Sequence, residues 1–152
     1  MKPLLDPPPD HVAKSVRVTA LIIAGYLAGV HLALAQDRYE LDAPWVGTVF
    51  VAAALGVIVG AAIAAGGDRF GVPVVWAAWV MAAIAAAGMF AGFLLSRTVG
   101  LPGYHRPDDW PVIQVIALVG EVAYLVLFAV AVRSLRRGNT QADRSGAQQL
   151  AA

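Results

Sequence analysis

Residues 112–132 read VIQVIALVGEVAYLVLFAVAV, a run broken in its middle by a single acidic residue, Glu121. A stretch of about 20 apolar residues at a rise of 1.5 Å each spans a bilayer core of roughly 30 Å. A carboxyl group at the centre of such a helix costs roughly 2.5 to 3.5 kcal/mol on insertion scales, so Glu121 marks either a paired structural ion or a working site.

Three further runs have the same length and character, at 18–35, 45–65 and 73–95. Backbone polar groups in lipid must be satisfied within the segment, and no strand alternation is visible. The expectation is therefore an all-α integral membrane four-helix bundle over residues 18–133, preceded by a segment 1–17 and followed by a polar tail 134–152 expected to be disordered. Asp42 before Pro44, Gly71 before Pro73 and Asp109 before Pro111 supply helix-start signals.

Composition agrees with this setting. The chain of 152 residues is 59% hydrophobic and 14% charged, with mean hydropathy +0.69, whereas soluble domains carry about 25% charged residues. A net charge of +1 gives no basic face for nucleic acid, and the absence of cysteine excludes disulfides and thiolate metal sites. The lipid bilayer is the one partner the composition demands. A homo-oligomer or a larger membrane complex is compatible with it, and the sequence requires no cofactor.

Basic residues set the orientation. Lys2, Lys14, Arg17, Arg69, Arg133, Arg136, Arg137 and Arg144 flank one side of the spans, and only Arg38, Arg97 and Arg106 the other, so both termini are expected in the cytoplasm. A competing reading takes Lys14, Arg17, the apolar stretch after them and Ala33-Leu34-Ala35 as a secretory signal. The long proline-rich leader and His31 near the end of the run favour a retained helix.

Gly25 and Gly29, Gly56 and Gly60, and Gly88 and Gly92 form one GxxxG pair in each of the first three spans. These are expected to be faces of close helix approach, within a monomeric bundle or between copies. Counting at 1.5 Å per residue, His31 lies about 7 Å below the outer end of its helix, Gln114 about one turn deep and Glu121 about 15 Å deep. Arg97 ends the third span on that same side. His31, Arg97, Gln114 and Glu121 thus form a candidate ligand or ion-pair cluster, with Arg97 the expected partner of Glu121. Left without a partner, Glu121 would favour its uncharged form and become a proton-carrier candidate. Tyr26 and Tyr124 are expected to pack, each hydroxyl bonding across the bundle.

The outer loops add Asp37, Glu40, His105, Asp108 and Asp109, an oxygen-and-imidazole set that a divalent cation would accept. No zinc spacing is present, and helix capping explains the acidic residues equally well. The two Gly and three Pro between Ser96 and Pro111 predict a turn-rich loop lying back over the bundle mouth. The run Ser96-Arg97-Thr98-Val99-Gly100-Leu101-Pro102-Gly103 follows a Gly- and Ala-rich third span, with a His late in the first span and a Glu in the fourth. It resembles small, mostly uncharacterised four-span membrane proteins of actinobacteria. That resemblance implies the four-helix layout and the bacterial inner membrane, and groups His31, Arg97 and Glu121 together; it carries no activity.

There is no nucleophile and base arrangement and no phosphate-binding loop, so a non-enzymatic accessory subunit or small-ligand binder is the leading expectation. The alternatives are a redox subunit holding quinone or a haem ligated by His31 and His105, and a proton- or ion-coupled carrier using Glu121.

Overall fold

A computed structural model describes residues 12–39, 43–107 and 110–150, without side-chain detail at 37–39, 68 and 135–150. The four expected runs are helices: α1 (Lys14–Tyr39), α2 (Pro44–Ala65), α3 (Val72–Arg97) and α4 (Val112–Leu150). A single 3-10 turn, Gly67–Arg69, sits in the short connection between α2 and α3. All four helices contain segments long and apolar enough to cross a membrane; that of α4 is Val112–Ser134. The helical backbone of α4 runs on to Leu150, into the segment 134–152 expected to be a disordered tail. Ala, Gln and Arg favour helix there, and Gly138 and Gly146 do not break it.

The short α1–α2 and α2–α3 connections favour antiparallel neighbours, and each helix packs against the next with α4 back against α1. Small residues make this packing close. Ala20, Ala24 and Ala28 of α1, Ala54, Ala61 and Ala64 of α2, and Ala82 and Ala86 of α3 fill the centre around Leu27, Trp79 and Tyr124. The large aliphatic residues point outward instead: Ile22 is 67% exposed, Ile84 66% and Val119 65%. Such an apolar exterior is unfavourable in water and is what a lipid environment solvates.

The three glycine pairs, alike in spacing, differ in place. A Cβ on Gly60 would lie 2.6 Å from the Ala78 carbonyl oxygen and 2.9 Å from the Ala82 Cβ, and one on Gly56 3.3 Å from the Ala85 Cβ. This is the tight seam between α2 and α3. Gly25 meets only the tip of Ile58 at 4.0 Å, and nothing lies within 4 Å of a Cβ on Gly29, Gly88 or Gly92. Among the described residues, therefore, only one of the three pairs brings helices into close contact.

Helix α2 starts with Pro44 in its first turn. Its N-cap is Ala43, which makes no side-chain capping bond, and Asp42 lies outside the described residues. At the other end of α3, Gly100 adopts φ +84° and its N–H donates to the Leu95 carbonyl, closing the helix. Pro102 and Gly103 (φ +68°) then make a tight turn, with Leu101 and Tyr104 exchanging two backbone hydrogen bonds of 2.8 Å. The Arg106 N–H donates to the Ser96 carbonyl at 3.0 Å, and the Trp45 indole N–H to the Pro102 carbonyl at 3.1 Å. The loop consequently folds over this end of the bundle, where Tyr104 is buried against Ala43 and Val46.

Candidate functional site

The face of α4 that turns inward carries Gln114, Ala117, Glu121, Tyr124 and Ala131, the spacing of one helical stripe. Its polar members meet different partners. Glu121, 3% exposed, has Oε1 3.2 Å from the Nε2 of His31 on α1. Gln114 accepts through Oε1 from an Arg97 guanidinium N–H at 2.6 Å. The four residues expected to converge are thus two pairs on one stripe, about two turns apart. The expected Arg97–Glu121 pairing is replaced by His31–Glu121. Arg97 bends toward the near end of α4, where it also donates to the Ser96 hydroxyl at 3.1 Å and lies 4.8 Å above the Phe93 ring.

The other ring nitrogen of His31 fixes the chemistry of its pair. Nδ1 lies 2.7 Å from the Leu27 carbonyl oxygen, one turn back on α1. A carbonyl can only accept, so Nδ1 carries a proton and Nε2 is left to face the carboxyl group. One proton then bridges Nε2 and Oε1, held either as imidazolium and carboxylate or as imidazole and carboxylic acid. Both placements leave the pair neutral, which is how a low-dielectric interior tolerates two ionisable groups. In both, Glu121 Oε2 is an acceptor. It has no hydrogen-bond partner among the described residues.

Beside this pair lies a cavity of about 70 Å³ between all four helices and the covering loop. Its walls are largely aromatic and aliphatic, with Phe50, Met89, Phe93 and Tyr104 among them, and His31, Ser96, Gln114 and Glu121 contribute the polar positions. The His31 ring packs against Phe50 at 5.4 Å between centroids. A smaller void of about 10 Å³ also touches the pair, lined by Leu27, Val57 and Ala86 among others.

Tyr124, one turn beyond Glu121, differs from the expectation. It is fully buried, its ring 6.1 Å from that of Trp79, yet neither its hydroxyl nor the Trp79 indole N–H finds a hydrogen-bond partner among the described residues. Tyr26 is 42% exposed, with its ring edge 3.5 Å from where a Cβ on Gly120 of α4 would lie. Of the outer-loop set, only the side chain of His105 falls among the described residues. His105 is exposed and packs against Gly100, while Glu40, Asp108, Asp109 and the side chain of Asp37 lie outside the described residues. Among the described residues no three His, Cys, Asp or Glu side chains are grouped to hold a metal ion.

Ser96, Phe93 and the glycines Gly88 and Gly92, which also line the cavity, are not distinguishable in the sequence as site residues. The glycines carry a signal, their spacing, but it reads as helix packing. No family model matches the chain, and no curated protein or solved structure does either.

Proposed function

We propose that this chain is a multi-pass protein of a bacterial inner membrane, with both termini cytoplasmic, whose helical bundle binds a small ligand at its outward-facing end. The observation that carries this reading is Glu121: a carboxyl group 3% exposed, lining a cavity, with one oxygen satisfied by His31 and the other buried without a hydrogen-bond partner among the described residues. Structural ion pairs satisfy both partners, and a fully packed core leaves no space beside them. Small-ligand sites have this makeup, an apolar concavity with a few placed polar groups. Binding without chemistry suits an accessory subunit of a larger membrane assembly.

The proton shared by His31 and Glu121 favours a second reading, a proton carrier. Haem ligation by His31 and His105 has less support, because both ring nitrogens of His31 are already engaged and His105 is on the exposed loop.

The test uses the protein in phosphatidylcholine nanodiscs and follows its thermal unfolding with 4-hexylphenol, hexylamine and heptanoic acid. Saturable stabilisation by at least one probe is expected, and its loss in Ala117→Phe, which fills the cavity from α4. Absence of saturable stabilisation by all three contradicts ligand binding at this site.

A further inference from the structure

The seam between α2 and α3 is tight at only one level. At Gly60 and Gly56 the helices touch through Ala78, Ala82 and Ala85. One to two turns nearer the covering loop the facing residues are Val49 and Trp45 on α2 and Gly88 and Gly92 on α3, all lining the cavity. Gly88 is exposed, Val49 is 46% and Trp45 41% exposed, and among the described residues no atom beyond the local helix backbone lies within 4 Å of a Cβ on either glycine. The cavity is therefore open sideways through a slot. The Gly56–Ala85 contact closes it on one side and the Trp45–Pro102 hydrogen bond on the other. Gly88 is nine residues from the end of α3, about 13 Å along its axis, so the slot faces the surroundings of the spans and not the loop end.

We infer that this slot admits a membrane-dissolved phenol, an aromatic ring with a hydroxyl and an alkyl tail, whose O–H donates to Glu121 Oε2. The inference rests on the ligand-binding reading above and names its ligand class and route. The hydroxyl follows from the partner: Oε2 has no donor among the described residues, and a group arriving from lipid must bring one without bringing a charge. The ring follows from the walls, where Phe50, Phe93 and Tyr104 offer faces and edges. The tail follows from size. A closed cavity of about 150 Å³ holds benzene, so about 70 Å³ open on one side seats part of one ring, and the remainder lies in the slot. The paired glycines keep that passage clear, since any side chain there projects into it.

Binding of tritiated 4-hexylphenol to the protein in phosphatidylcholine nanodiscs tests this, with unlabelled hexylbenzene, hexylamine and heptanoic acid as competitors. Saturable binding is expected, with hexylbenzene at least about tenfold weaker as a competitor for want of the hydroxyl. Gly88→Leu and Val49→Trp, which block the slot from either helix, should each weaken binding at least about tenfold while the unfolding midpoint stays within a few degrees. Gly29→Leu, which adds the same side chain to an exposed glycine away from the cavity, should not. Equal competition by hexylbenzene, or full binding in both slot variants, overturns the inference but leaves a binding cavity in place. Preferred binding of the amine or the acid, lost in Ala117→Phe, likewise overturns the phenol and keeps the cavity. No saturable binding of any probe removes both.

Discussion

His31 on α1 holds Glu121 on α4 through an Nε2 to Oε1 contact of 3.2 Å, while the Leu27 carbonyl holds the other side of the same imidazole. The ring is thereby fixed at both nitrogens, and the carboxyl group is presented to the cavity by a partner that cannot turn away. The pair joins the first helix to the last, which closes the bundle across its longest sequence separation.

Breaking the pair on one side should cost more than breaking it on both. His31→Ala leaves Glu121 buried without its partner, an expected loss of about 3 kcal/mol. Glu121→Gln keeps shape and hydrogen-bonding capacity and should cost about 1 kcal/mol. Unfolding free energies of wild type, His31→Ala, Glu121→Ala and the double variant in mixed micelles give the coupling directly. A coupling above about 1 kcal/mol is the expected outcome, near the upper end for hydrogen bonds between membrane helices.

Arg97 should not be replaceable by lysine. Its guanidinium reaches Gln114 and Ser96 at once and stacks on Phe93, a combination that needs a planar fork. Arg97→Lys is expected to lose about 1 to 2 kcal/mol in the same unfolding assay, and Gln114→Ala a comparable amount. Stability of Arg97→Lys equal to wild type would exclude this geometry.

The glycines should separate by position. Gly60→Ala drives a methyl group into the Ala78 carbonyl and should cost about 2 kcal/mol, since backbone cannot give way cheaply. Gly29→Ala meets nothing and should raise stability by up to about 1 kcal/mol through helix propensity. Gly100→Ala, at φ +84°, should cost about 1 kcal/mol by straining the end of α3. Comparing unfolding midpoints of the three variants checks all of these together.

The helices were legible because their signals are local. Apolar run length and the Pro and Gly punctuation place α2 and α3 within two residues of the expected 45–65 and 73–95. What joins them is decided by rotation of each helix about its axis, which no single run encodes. Depth alone allows Glu121 to meet Arg97 or His31; rotation of α1 brings His31 to it and leaves Arg97 to Gln114. The same limit explains the glycines. Spacing shows that Gly56–Gly60 and Gly88–Gly92 each form a smooth face, but only their neighbours make the first a seam and the second a cavity wall. The fourth helix outruns its apolar core because its polar continuation is itself helix-forming, which hydropathy does not report.

The most direct test is a measurement of which side chain holds Glu121. Solid-state NMR on the protein in lipid bilayers can recouple ¹³Cδ of Glu121 to side-chain ¹⁵N, with His11 and His105 replaced so that His31 is the sole imidazole. A strong dipolar coupling to His31 Nε2, at hydrogen-bond range, is the predicted result. Coupling to the Arg97 guanidinium instead, or to no side-chain nitrogen, would contradict the pairing and with it the unpartnered carboxyl oxygen on which the ligand-binding reading depends.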